Sequence, residues 1–280
     1  MNNFHINTSI IMVDGSFREK YHSIDYFAEQ NFSENQYELI WVEYFDRIKP
    51  DLESKISQHE NFKIVKLNKT CVYHSSYCFN EGIKQSSGDL IVIPDADVVV
   101  ENDFLEKVYA EHQKNEKLVM YIYRYNEPED QHKEQINIEH LNDTCILTNP
   151  SNYGGCLTVR KKWLMEINGY EQHPVFSGGF HANGYDVYTR LKSLGLHIMW
   201  HPELKLYHPW HPLTLVNSDN FDKQKIISDY RAKKLIYKAA QGIDSSSNSY
   251  LPGESQILLD KEKSNNKSSR KLKDFFKIFS

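Results

Sequence analysis

The sequence has few cysteines, and their spacing pairs none of them. Cys71, Cys78, Cys145 and Cys156 form no C-x-x-C pair and no zinc spacing. That speaks against a disulfide framework or a cysteine zinc site and suits a reducing compartment. No apolar run reaches the roughly 18 residues needed to span a bilayer, and the N-terminus lacks the apolar core of a signal peptide. Excess positive charge is missing too. The formal net charge of -5 argues against broad nucleic-acid binding. These absences predict a cytoplasmic protein with no nucleic-acid partner. Of the 280 residues, 40% are hydrophobic and 13% aromatic, enough to build the core of one large α/β domain or two small ones.

The most informative stretch is Leu90-Ile91-Val92-Ile93-Pro94-Asp95-Ala96-Asp97-Val98-Val99-Val100. Its apolar, β-branched start reads as a buried strand. Side chains alternate along a strand, so Asp95 and Asp97 are expected on the same side. Two carboxylates aimed together repel unless a cation joins them, and a hard divalent ion with a phosphorylated substrate answers that need. The plain alternative is a strand end capped by two solvated acids.

Around this run, strand and helix signals alternate. Strands are expected over 8–13, 37–44, 62–67, 118–123, 154–159 and 196–200. Helices are expected over 21–30, 51–59, 74–86 (with Ser75 or Ser76 as cap), from 102 or 103 onward, and over 161–168, 186–194 and 221–241. Such alternation predicts a mostly parallel twisted sheet flanked by helices. Ligands then sit beyond the carboxyl ends of the strands, where Asp14, Glu43, Asp95 and Asp97 fall. Asp14 reads equally as a turn former. Residues 124–149 are polar and without a clear period, a long excursion of the kind that often carries function. After about Leu215 the composition shifts. Residues 244–250 are a serine-rich linker. Residues 265–280 place Lys267, Arg270, Lys271, Lys273 and Lys277 among Leu272, Phe275, Phe276, Ile278 and Phe279. This reads as a basic amphipathic helix suited to an anionic membrane surface, or as a helix docked on its own domain or a partner.

Taken together, the motifs resemble those of GT-A-fold inverting glycosyltransferases of family 2, over roughly residues 7–215. They are the Asp95-Ala96-Asp97 triplet, Asn80-Glu81-Gly82-Ile83-Lys84 with Ser87-Gly88-Asp89, and Gly154-Gly155-Cys156-Leu157-Thr158-Val159. Asn168-Gly169-Tyr170-Glu171, Gly178-Gly179-Phe180, Asp186-Val187-Tyr188-Thr189-Arg190-Leu191 and His208 complete the set. The resemblance implies a GT-A domain over 1–215, and the shifted composition beyond it reads as a helix packed on that domain over 216–242 and a linker with the basic tail over 243–280. It implies a nucleotide-sugar donor, such as a UDP-sugar, with Mn2+ or Mg2+, and a glycan or lipid-linked acceptor, as in surface polysaccharide synthesis. A peripheral position on the inner face of a membrane would follow from the tail.

Carried over residue by residue, the donor side would comprise Asp14, Glu43, Asn80, Lys84, Asp95 and Asp97. The metal would be held by Asp95, Asp97 and His208, with His211 as the alternative. Gly155, Gly179 and Trp210 would face the acceptor. The base that accepts the acceptor's proton is the one departure from the family pattern. A gapless match places Asn183-Gly184 where the family has Glu-Asp. A loop longer by two residues places Tyr185-Asp186 there instead and makes Asp186 the base, at a helix start that favours a carboxylate. Asp186 as a mere helix cap is the alternative.

Two other readings compete. The triplet also fits a haloacid-type phosphatase with Asp95 as phosphorylated nucleophile, although that motif normally ends the first strand of its domain. The missing Glu-Asp pair fits a non-catalytic sugar-nucleotide or glycan-binding module. A nucleotidyltransferase is disfavoured, because no glycine-rich, lysine-bearing phosphate loop lies near residue 14.

Overall fold

The computed structural model describes residues 6–178, 183–212 and 220–244. The strands are β1 (Thr8–Asp14), β2 (Tyr37–Glu43), β3 (Phe62–Lys66), β4 (Leu90–Pro94), β5 (Leu118–Asn126), β6 (Cys156–Arg160) and β7 (His197–His208). The longer helices are α1 (His22–Ala28), α2 (Pro50–Ser57), α3 (Ser75–Gln85), α4 (Phe104–Lys114), α5 (Ile138–Thr144), α6 (Lys161–Glu166), α7 (Asn183–Ser193) and α8 (Phe221–Lys234). The strands form one sheet in the order β3-β2-β1-β4-β6-β5-β7. The sheet is mostly parallel, as expected, with β6 antiparallel to both β4 and β5.

Burial on both faces explains the continuous apolar runs. Along β1, Ile10 and Met12 face a core shared with α1, α2 and α4, while Ile11 faces the opposite core with α3, α6 and α7. Along β4, Leu90 and Val92 join the first core, and Ile91 and Ile93 the second. Each fully buried apolar side chain of this kind contributes roughly 1.5–3 kcal/mol. That central position in the sheet holds the start of the aspartate triplet rigid.

Polar residues fix the opposite end of β4. Glu38 accepts hydrogen bonds from Ser9 Oγ (2.7 Å) and the Ser87 N–H (2.6 Å), and pairs with Lys63 Nζ (2.9 Å). The Gly88 N–H donates to Ser9 Oγ at 2.9 Å. The Ser87-Gly88-Asp89 turn thus lies directly against β1.

Several elements differ from the sequence expectation, each for a local reason. β4 stops at Pro94, which cannot donate a ladder hydrogen bond, so the two aspartates stand in the turn beyond it. Neither Ser75 nor Ser76 caps α3, whose first flanking residue is His74. Both hydroxyls lie inside the first turn and accept from Asn183 Nδ2, at 3.2 and 2.8 Å, tying α3 to α7. β5 and β7 run longer than expected, and α5 forms within the excursion. α8 ends at Lys234, where Leu235 turns left-handed (φ 54°). The following residues run back along the turn after α6, with Ala239 N donating to Ile167 O and Ile243 N to Asn168 O. α8 packs on α7, and its Ile227 joins Val175 and Phe176. The basic tail and most of the serine-rich linker lie outside the described residues.

A methyl group at position 88 would sit 2.7 Å from Ser9 N and from the Thr8 carbonyl carbon. Backbone cannot yield as a flexible side chain does. Gly88→Ala is therefore expected to cost about 1–3 kcal/mol, read as a lower midpoint in chemical denaturation.

Candidate active site

Three adjacent strands end together. Asp14 closes β1, Glu43 closes β2 directly opposite it in register, and Asp95 follows β4. The triplet is pinned by its backbone. Asp95 N donates to Gly155 O (2.8 Å), Ala96 O accepts from Ser23 Oγ (2.6 Å), and Asp97 O meets His22 Nε2 (3.0 Å). Beyond it, Val99 and Tyr207 exchange two hydrogen bonds, at 2.7 and 2.9 Å. Those bonds lay the end of β7 beside the triplet and place His208 next to Asp97.

β7 reaches that point through an irregularity. Ile122 pairs with His201, but Tyr123 pairs with Lys205, and His201 Nδ1 accepts the Glu203 and Leu204 N–H groups inside the bulge. Past it, Asn126 lies opposite His208 and Arg124 opposite Leu206, so two neighbouring strands carry an arginine and a histidine to the site.

The carboxylates meet two cations that the motif reading missed. Arg18 Nη1 is 3.0 Å from Asp14 and its Nη2 is 3.2 Å from Asp97. Arg124 Nη1 is 2.5 Å from Asp95 Oδ2. No fixed motif announces either arginine, but four acids at one sheet end require compensation. A basic residue just after β1 and another late in β5 were the available signals.

Asp97, His208 and His211 offer ligand atoms that all lie within 4.8 Å of one another. His208 Nε2 stands 3.5 Å and His211 Nε2 3.6 Å from the Asp97 carboxylate, and the two ring nitrogens are 3.3 Å apart. Two nitrogens facing each other at that distance and one carboxylate make a borderline donor set that suits Mn2+ better than Mg2+. Burial pushes the His208 imidazole down to about 4 against the pull of Asp97, leaving it neutral with a lone pair to offer. Burial would raise the Asp97 carboxyl, but Arg18 and the two histidines hold it well below the usual range. These residues fit a divalent cation. Among the described residues they form the one such cluster, and it includes both histidines, where His211 was expected only as a substitute. Asp95 is not part of it, since its carboxylate is turned to Arg124. The expected set had Asp95 in the place where this cluster has the second histidine.

On the other side, Glu43 is buried and accepts from Ser16 Oγ at 2.9 Å. Burial first, then the neighbouring Asp14, pushes its carboxyl up to about 7.

The remaining expectations divide. Gly155 lies at the triplet, and Trp210 lies between the two histidines in sequence, its ring 5.5 Å from that of His132. Gly179 falls outside the described residues. Asn80 does not face the donor side. It is buried, with Nδ2 donating to Tyr170 O (2.8 Å) and Oδ1 accepting from Tyr170 N (2.7 Å). Lys84 sits in the last turn of α3, away from the strand ends, and pairs with Glu81 at 2.5 Å.

Asp186, the expected base, lies in a buried ion-pair network. It is 1% exposed. Its carboxylate takes Arg190 Nε at 2.8 Å, Arg231 Nη1 at 3.0 Å and Ser228 Oγ at 3.3 Å. Arg231 in turn reaches Glu171 at 2.6 Å. Burial alone would raise the Asp186 pKa, but Arg190 and Arg231 bring it below the ordinary carboxylate value. A carboxylate so enclosed and so paired is less basic than a free one. The arrangement favours the gapless match, with Asn183-Gly184 at the acidic pair. Position 184 cannot hold a carboxylate either, because a Cβ there would lie 2.6 Å from Tyr153 O.

Two outcomes follow. The Glu43 carboxyl keeps its proton in the folded chain to about pH 7, whereas the unfolded chain loses it near 4.5. Native protein therefore binds the extra proton in between, and stability falls as pH rises through that window. Glu43→Gln should flatten the fall, seen by comparing denaturation at about pH 5 and about pH 8. Asp186→Asn leaves buried arginine charge uncompensated and should cost roughly 3–5 kcal/mol, while nucleotide affinity of the folded protein stays unchanged. A normal denaturation midpoint with turnover alone abolished would restore Asp186 as the base.

Residues 34–168 match the sequence model of Glycosyl transferase family 2. No curated protein sequence matches the chain. Among solved structures, TarS 1-349 of S. aureus superposes with a TM-score of 0.56 at 15% identity, covering 82% of this chain and 64% of its own. GalNAc-T7, solved with UDP, GalNAc and Mn2+, gives 0.59 at 10% identity over 80% of this chain and 48% of its own. The mannosyltransferase PcManGT of Pyrobaculum calidifontis, solved with GDP-Man and Mn2+, gives 0.52 at 11% identity over 82% and 63%. The chain thus spans less than two thirds of each of these structures. By its sheet order and these superpositions the chain has the GT-A fold, and residues 34–168, just under half of it, carry the sequence match to Glycosyl transferase family 2.

Proposed function

We propose that the protein moves a sugar from a nucleotide-diphosphate sugar to an acceptor hydroxyl with the help of a divalent cation. The observation that carries this reading is the meeting of Asp97, His208 and His211 with Arg18 and Arg124 at the carboxyl end of β4. The cation, held by Asp97, His208 and His211, would stabilise the negative charge that develops on the departing diphosphate.

The chain's own residues do the rest. Arg18 and Arg124 offer two guanidinium forks whose geometry matches phosphate oxygens. Asp14 and Glu43, at the ends of the two neighbouring strands, face the nucleoside half. Glu43 can accept or donate a hydrogen bond near neutral pH, as a group poised at about 7 does. A UDP-sugar donor is consistent with UDP in TarS and in GalNAc-T7, and GDP-Man in PcManGT keeps the base open. The acceptor is a glycan or lipid-linked glycan, the latter favoured by the basic, aromatic sequence over 265–280. No helix among the described residues is long and apolar enough to cross a membrane, so a membrane-borne acceptor would be met from the surface.

Inversion by direct displacement needs a proton acceptor opposite the leaving group, and Asp186 is enclosed elsewhere. That one observation, with position 184 closed to a side chain, favours a second reading in which the site binds a nucleotide sugar without turning it over. The experiment separates them: nucleotide release from a panel of UDP- and GDP-sugars, with Mn2+ or Mg2+, and with glycan and lipid-linked acceptors. Transfer predicts acceptor-dependent release, faster with Mn2+ than with Mg2+, and lost in Asp97→Ala together with metal-dependent donor binding. Metal-dependent binding without release under any acceptor supports the second reading. Release independent of Asp97 and of metal sinks the first. Acyl-phosphate on Asp95 with no nucleotide-sugar binding would instead revive the phosphatase.

A further inference from the structure

The excursion after β5 is built around one buried carboxylate, Glu127, whose side chain is 1% exposed. It follows Asn126, the residue paired with His208. Its N–H donates to His208 O at 2.9 Å. Its Oε2 turns back to accept the Trp210 N–H, also at 2.9 Å. One residue therefore holds the strap that carries His208 and His211 on both sides of Pro209, which has no N–H of its own to be held by.

The excursion supplies the other partners of that carboxylate. His132 Nδ1 lies 2.7 Å from Oε2, and its ring packs against Trp210. His140 Nε2 lies 3.2 Å from Oε1. The turn at Glu129–Gln131 leads into His132, and Asn137 Oδ1 at the start of α5 fixes the His140 N–H at 3.0 Å. The first thus presents a ring nitrogen to Glu127, whereas His140 Nε2 lies closer to Gln131 O, at 2.9 Å. Neither His132 nor His140 reaches the metal cluster.

We infer that Glu127, oriented by His132, is a positioning residue that sets the spacing of the two histidine ligands on the 208–211 strap. Two ligands on one short loop form a good chelate only if the loop is rigid, because each unordered side chain must otherwise be ordered on binding. Partners that orient metal ligands in this way are commonly worth 10–100-fold in metal affinity. The inference rests on the divalent site proposed above and adds a residue outside its ligand set.

The test uses the full chain and Mn2+ as the probe. Mn2+ affinity is titrated by loss of the free-ion EPR signal, and coordinated imidazole is read from nitrogen echo modulation of the bound ion. Glu127→Ala should weaken Mn2+ binding by about tenfold or more and reduce the nitrogen modulation. UDP affinity without metal should not change. Glu127→Gln, whose amide oxygen can still accept the Trp210 N–H, should recover most of the loss. A merely structural role would lower thermal stability in both variants without moving the nitrogen signal. If Glu127→Ala does not fold, His132→Phe keeps the packing on Trp210, removes one hydrogen bond, and should still weaken Mn2+ about threefold. Wild-type affinity and modulation in Glu127→Ala, or in His132→Phe where Glu127→Ala does not fold, overturn the inference. Absence of Mn2+ binding in the wild-type chain overturns the metal site itself and the brace with it, a failure visible before any variant is made.

Discussion

Four acids at one end of one sheet are the constraint from which the site follows. Asp14, Glu43, Asp95 and Asp97 converge because three neighbouring strands stop at the same level. Like charges held this close in a partly buried place must be neutralised, paired or given a cation. The structure does all three. Burial and Asp14 raise the Glu43 carboxyl to about 7, Asp14 and Asp95 are paired with Arg18 and Arg124, and Asp97 stands among Arg18 and two histidines. A site balanced in this way is ready for a ligand that brings its own charges, since a cation and a diphosphate enter as a nearly compensated pair.

The second ionic cluster obeys the same electrostatics and reaches the opposite result. Asp186, Arg190, Arg231 and Glu171 are each no more than 2% exposed. Their contacts are short, at 2.6–3.0 Å. Glu171 Oε2 also accepts the Ala240 N–H, and its Oε1 accepts the Gln241 N–H, both at 2.9 Å. Every partner comes from α7, α8 or the turns beside them. Charges this deep are held only where each is answered, and an answered charge has nothing left to give a substrate. The cluster ties α8 and residues 236–244 to the sheet domain, so the segment from 220 to 244 is part of what keeps α7 in place.

The sequence made the strands legible and the roles of single polar residues much less so. Leu90–Pro94 could be read because burial on both faces leaves a continuous apolar run, and its neighbours could be read by alternation. Asn80 could not be placed, because a helix face toward the donor and a helix face toward Tyr170 show the same spacing. Asp186 misled for a sharper reason. A carboxylate in a helix first turn has equal claim to be a base, a cap or an ion-pair partner, and only Arg231, far along the chain on α8, decides among them. Arg190, one turn after Asp186, was the nearby hint. The excursion looked aperiodic because its order comes from single contacts, His132 on Glu127 and His140 on Gln131 O, rather than from any repeat.

What separates the two carboxylate clusters physically is saturation, and this argues for where the chemistry lies. A charge-assisted hydrogen bond is typically about 2.7–2.9 Å long. Asp186 and Glu171 have partners in or near that range on each oxygen. Asp97 does not: its nearest cationic and imidazole nitrogens stand at 3.2, 3.5 and 3.6 Å, on a side chain 16% exposed. An under-coordinated carboxylate facing two imidazole nitrogens is held open at an energetic cost, and that cost must be borne by rigid surroundings. Those surroundings are the buried β4, the Val99–Tyr207 hydrogen bonds and the strap fixed at Glu127. Rigid elements hold these three side chains at a fixed spacing, which is what the proposed cation site requires.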